Sequence, residues 1–216
     1  SRPEEMHFFY ETAARSLIMD ETGRVIGIEA IGDGNVPLRI MGANVVLACG
    51  GFQGNPEMLS HYCGPQSQFI RPVSRGGHYN RGEGVRMALS AGAAPCGDFG
   101  SFHAQPVDPR STDIEPVVLN YNLGVLINDS GKRFTDEGPA MVDATYEVVT
   151  RLIMGERHGI AYAVFDASLD EVENWTVTVR SRVPPLQGAT LKDLAMEIGV
   201  DDQELIRTID AYNASC

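Results

Sequence analysis

A nearly continuous apolar run, Ala43-Asn44-Val45-Val46-Leu47-Ala48-Cys49, stops at the glycine pair Gly50-Gly51. An unbroken run of that length suits a β-strand covered on both faces, as in a parallel or mixed sheet. Glycines at the end of such a strand turn the chain or let its backbone approach a partner without a Cβ clash. Wholesale disorder is excluded, because 43% of the residues are hydrophobic and only 21% charged.

The flanking segments read as a mixture of strands and helices. Ser16-Leu17-Ile18-Met19 and Arg24 to Ile31 are separated by Asp20-Glu21-Thr22-Gly23, the chemistry of a hairpin turn. A second turn at Gly32-Asp33-Gly34-Asn35 returns the chain to Leu38-Arg39-Ile40. Asn55, Pro56 and Glu57 start a short helix, and Gly82-Glu83-Gly84 opens another that ends near Gly92. From Asp98 to Asn120 several prolines and no sustained period predict a long irregular loop, and loops of this kind are commonly functional. Gly124 to Asn128 and Lys132 to Phe134 flank a second hairpin turn, Asp129-Ser130-Gly131. Ala144 to Met154 reads as a helix and Ala161 to Phe165 as a strand. Two helices follow, the first capped by Thr190 with Asp193 three residues on. The fold class is α+β, with a boundary expected just after Gly51.

Charge narrows the partners. Seventeen basic residues against 29 acidic ones leave a formal net charge of −12, with no basic run. Nucleic acid and a polybasic membrane patch are therefore excluded as partners. No apolar stretch is long enough to span a bilayer. The four cysteines are scattered and the five histidines lack metal-ligand spacing, so no metal site is expected. Free thiols fit a reducing compartment, and a cytoplasmic location is expected.

No self-sufficient catalytic motif is present: no G-x-S-x-G, H-E-x-x-H, P-loop or G-x-G-x-x-G after a strand. The ordered series of local patterns is more informative. Val45 to Phe52, Asn55-Pro56-Glu57-Met58, Arg81-Gly82-Glu83-Gly84, Asn128 through Phe134, Asp136-Glu137-Gly138 and the closing stretch Leu205 to Asn213 follow one another along the whole chain. This series resembles the flavoprotein family of fumarate reductases, succinate dehydrogenases and 3-ketosteroid dehydrogenases. Asp136-Glu137-Gly138, Tyr146 and the Gly-Gly-Phe-Gln segment are most similar to its tricarballylate dehydrogenase branch, which is related to CobZ of cobalamin biosynthesis.

The resemblance implies residues 1–51 as part of an FAD-binding domain and 52–216 as the substrate-capping domain. It implies FAD as cofactor, contacted by Ala14, Gly50, Gly51 and Glu83. The substrate implied is a small carboxylate or carbonyl compound, with the electron partner left open. Where fumarate reductases carry Gln-x-His-Pro-Thr, this chain has His103-Ala104-Gln105-Pro106-Val107, with Gln105 at the position of the histidine. The family's arginine acid falls near Val142, which cannot transfer a proton. His103, Gln105 and Tyr146 then remain as the catalytic candidates, with Arg110 as a further nearby donor.

The family's dinucleotide fingerprint is absent from these residues, so the chain is expected to be an internal piece, inactive and not binding FAD by itself. It is also expected to self-associate through the edge of the Gly50-Gly51 strand. The alternatives are a complete non-catalytic ligand-binding or interaction domain, or a small enzyme without flavin relying on His103 and scattered acids.

Overall fold

The first turn forms as its composition requires. Asp20 Oδ1 accepts hydrogen bonds from the backbone N–H groups of Thr22 at 2.9 Å and Arg24 at 3.0 Å. This turn joins β1 (Ala13–Met19) to β2 (Val25–Gly32) in antiparallel register, and a turn at Asp33–Asn35 leads on to β3 (Val36–Met41). The sheet order is β1-β2-β3. The computed structural model describes residues 6–216, so the first five residues of the span 1–51 lie outside the described residues.

The strand expected over 43–49 does not form. Residues 44–50 have no regular secondary structure, Val46 is 87% exposed, and Cys49, Gly50 and Gly51 are exposed as well. The physical reason is pairing: a ladder needs a partner, and among the described residues β1, β2 and β3 pair only with one another.

Two helices follow in the same unit. α1 (Pro56–Cys63) is capped by Asn55, whose Oδ1 accepts from the N–H groups of Glu57 and Met58 at 3.1 and 3.2 Å. α2 (Glu83–Ser90) starts from Gly82, a buried left-handed residue with φ of 82°. A Cβ at Gly82 would displace the flexible Met58 thioether and crowd Phe52 Cβ, so glycine is favoured there chiefly by its left-handed conformation. Contacts divide the chain into two compact units, residues up to Tyr62 with Arg75–Phe99, and Cys63–Ser74 with Gly100–Cys216. Residues beyond Gly51 thus contribute to the unit that holds the three-stranded sheet.

The second unit is built on β4 (Val125–Asn128), paired antiparallel to β5 (Ala161–Val164). Successive β4 side chains face opposite ways. Val125 and Ile127 pack against α4 (Leu191–Ile198) and α5 (Asp202–Asn213), through Ala195 and Leu205. Leu126 packs on the other side with Tyr121 and with Val149 of α3 (Val142–Gly155). Here the unbroken apolar run does mean a strand covered on both faces.

The hairpin expected between Gly124–Asn128 and Lys132–Phe134 forms only its turn. Asn128 N–H donates to Lys132 O at 2.9 Å and Gly131 N–H to Asn128 O at 3.0 Å, but just one bridge, Ile127 to Arg133, continues it. The Leu126 N–H that a returning strand would take instead donates to the buried Glu137 carboxylate at 2.7 Å. Arg133 closes that arrangement, donating to Glu137 Oε2 from Nε at 3.0 Å and from Nη2 at 2.7 Å.

Candidate functional site

The sequence candidates sort into two groups, one in each unit. In the first unit, Ala14, Arg15, Ser16, Leu17 and Met19 of β1 face Glu83, Arg86, Met87, Ser90 and Ala91 across a groove of about 210 Å³. Ala14 and Glu83 are therefore brought to one concavity. The Glu83 carboxylate accepts the Arg81 N–H at 3.1 Å, which fixes it over the first turn of α2. The exposed glycine pair is tied to the same helix start, since Gly82 N–H donates to Gly51 O at 3.1 Å. Gly50 has φ of 72°, in the left-handed region that favours glycine.

These features fit a dinucleotide. The glycine pair is exposed main chain flanked by the side chains of Asn80 and Gln53, and an anionic acceptor such as Glu83 suits a sugar hydroxyl or a base amine better than a phosphate. No group of three or more His, Cys, Asp and Glu among the described residues is arranged to hold a metal ion.

In the second unit the long loop and α3 meet. Tyr146 lies half-buried on α3, and its hydroxyl is 3.0 Å from His103 Nε2, with the two rings edge-on at 5.3 Å and 88°. His103 Nδ1 lies 3.5 Å from Glu147 Oε2. The Arg151 Nη2 group donates to Glu147 Oε1 at 3.1 Å and to the Phe102 carbonyl at 2.6 Å, and the guanidinium sits 4.4 Å over the Phe102 ring. A Tyr–His–Glu–Arg chain of contacts results.

Gln105, half-buried two residues from His103, makes no hydrogen bond within that chain. Arg110 is withdrawn from it altogether. Its Nε and Nη2 donate to the two oxygens of Asp108 at 3.0 and 2.9 Å, and its Nη1 donates to the Pro184 carbonyl at 3.2 Å. Arg110 is thus a structural clamp and not a free donor. Val142, near which the resemblance puts the family's acid, packs into the core around Leu126. Glu147, Arg151 and Phe102 escaped the sequence reading. The available signal was the Glu147–Arg151 spacing of four on one helix next to Tyr146.

The family described as FAD binding domain matches across residues 1–216. An NADH:acrylate oxidoreductase of Vibrio harveyi is 30% identical over 213 residues, spanning 94% of this chain and 20% of that protein. A urocanate reductase of Eggerthella lenta is 27% identical over 216 residues, or 95% of this chain and 34% of that protein. The open conformation of a flavocytochrome c3 fumarate reductase has the same fold, with a TM-score of 0.66 at 22% identity over 94% of this chain and 35% of that one. The chain spans about a fifth and about a third of the lengths of the two curated relatives. These relatives are an oxidoreductase and two reductases, and the mixed strand and helix content agrees with an α+β FAD-binding fold.

Proposed function

From the premise that this chain belongs to the FAD binding domain family of the fumarate reductase and succinate dehydrogenase flavoproteins, we propose that it is part of an FAD-dependent oxidoreductase. The reaction proposed adds or removes hydrogen across a carbon–carbon bond beside a carboxylate or carbonyl. Bound FAD supplies the acceptor or donor of hydride. Gly50 and Gly51 and the groove between β1 and α2, lined by Ala14 and Glu83, are the residues of this chain proposed to hold it.

The second unit is proposed as the substrate-capping part. The observation that carries the reading is the 3.0 Å contact between the Tyr146 hydroxyl and His103 Nε2. A tyrosine in that contact can give a proton to a substrate atom, or take one, while exchanging its own with an imidazole. Such a pair supplies the proton transfer that Val142 cannot. Gln105 is proposed to donate its amide N–H to a carboxylate or carbonyl oxygen of the substrate, at the place where relatives carry a histidine.

A tricarboxylate such as tricarballylate is the proposed substrate on the likeness of Asp136-Glu137-Gly138 and Tyr146. In the structure Glu137 is buried against Arg133 and Leu126 and Asp136 lies 3.6 Å from the same arginine, so neither carboxylate is a direct contact for a tricarboxylate anion. The test uses the intact flavoprotein. Reduced enzyme is mixed anaerobically with fumarate, acrylate, an enone and the dehydro form of tricarballylate, and reoxidation is followed by flavin absorbance. Turnover of one of these is expected, with Tyr146→Phe slowing it roughly 100-fold. An unaltered rate in that variant would reject the assignment of Tyr146. FAD added to the 216-residue chain alone is expected to remain unbound.

A further inference from the structure

Glu147 and Arg151 are left over once Tyr146 and His103 have been given their work. We propose that Glu147, braced by Arg151, is the positioning residue of this site, holding His103 with its hydrogen on Nδ1 so that Nε2 can receive the Tyr146 hydroxyl proton. The inference rests on the Tyr146–His103 reading above and deepens it.

A neutral imidazole carries one hydrogen, and the partner of one nitrogen decides what the other can do. Nδ1 faces a carboxylate oxygen at 3.5 Å, an acceptor only, so the hydrogen belongs on Nδ1. That leaves a lone pair on Nε2, 3.0 Å from a hydroxyl that can donate to it. With the opposite tautomer, Nε2–H would donate to the tyrosine oxygen and the carboxylate would face a lone pair. The contact at Nδ1 is longer than an ideal hydrogen bond, as catalytic contacts often are before a site is loaded.

Arg151 makes the carboxylate's position definite. Its Nη2 joins Glu147 to the Phe102 carbonyl, one residue before His103, so a single guanidinium ties the helix side of the relay to the loop side. Glu147 and Arg151 are four apart on α3 and so are neighbours on the helix surface, and His103 lies against both Tyr146 and Glu147. When a substrate proton reaches the Tyr146 oxygen, the hydroxyl proton moves to Nε2, and the imidazolium formed carries its Nδ1–H against the Glu147 carboxylate. One proton enters and one is held on His103; charge and atoms balance. In the opposite direction the same proton returns from Nε2 to Tyr146.

Nitrogen-15 NMR of the intact, FAD-loaded flavoprotein tests this without relying on turnover, with His103 signals assigned by their loss in His103→Gln. At a pH where the ring is neutral, Nδ1 is expected to show a pyrrole-type shift and Nε2 a pyridine-type shift. Glu147→Ala is expected to transfer pyrrole character to Nε2 and to lower kcat about tenfold at unchanged KM. A hydrogen found on Nε2 of the wild-type ring overturns the proposal, and this measurement needs no variant to fold. Ring shifts unmoved by Glu147→Ala overturn it too. Undiminished turnover of Tyr146→Phe instead overturns the reading on which it rests.

Discussion

Asp108 shows how one residue gives order to a segment that has no helix or strand of its own. Its side chain is only 6% exposed, and it receives hydrogen bonds from Arg110 and from Ser181 Oγ at 2.7 Å, while its carbonyl accepts from Arg71 at 3.2 Å. Burial pushes its carboxyl up, but the hydrogen bonds from Arg110 and Ser181, with the charge of Arg110, outweigh burial and hold it below the usual aspartate value. A depressed folded value means that this stabilisation is complete above the unfolded pKa and is lost as pH falls through the lower folded one. Urea unfolding below about pH 4 is therefore expected to show a falling midpoint, and the fall is expected to be shallower in Asp108→Asn, which already lacks the charge. The loop 98–120 was legible as irregular from its prolines. That Asp108, and not one of the candidate donors, organises it was not, because its partners Arg71 and Ser181 lie far away in sequence.

Among elements, those whose ends carry their own signals formed where the sequence placed them. Asn55 is the clearest case, since its oxygen caps α1 and its Nδ2 donates to the Arg81 carbonyl at 2.9 Å, joining α1 to the approach of α2. Asn55→Ala is expected to cost about 1–2 kcal/mol, read as a loss of unfolding free energy in denaturant. Thr190 and Asp201 cap α4 and α5 in the same way, each side chain accepting from an N–H three residues on. The second hairpin failed at this scale for a definable reason. Its turn is local and formed, but Glu137 occupies the Leu126 N–H that a returning strand would need, and β4 took β5 as its partner.

At the scale of the molecule, two similar apolar runs met opposite ends. Val125 to Ile127 is covered on both faces and pairs with β5. Val45 to Leu47 has no strand beside it among the described residues, and Val46 stands 87% exposed. Removing apolar surface from water favours association at roughly 25 cal/mol per Å², and unpaired backbone adds a template for pairing. The isolated chain is accordingly expected to self-associate, with Val46→Lys shifting it toward monomer in sedimentation velocity. A wild-type chain sedimenting as a monomer at high concentration would rule this out.

Local chemistry was decided by the order of residues alone. Turns at Asp20–Gly23, caps at Asn55, Thr190 and Asp201, and the family pattern running from the glycine pair to Asn213 depend on atoms a few residues apart, or on series that survive without coordinates. Tertiary structure decided which apolar run became a strand, that Arg110 is bound up with Asp108, and that Glu147 and Arg151 stand behind His103. Each of those outcomes turns on a segment remote in sequence, β5 beside β4, Ser181 and Arg71 on Asp108, and the loop at Phe102 and His103 against α3, so pairing, burial and charge are settled by whichever neighbour arrives.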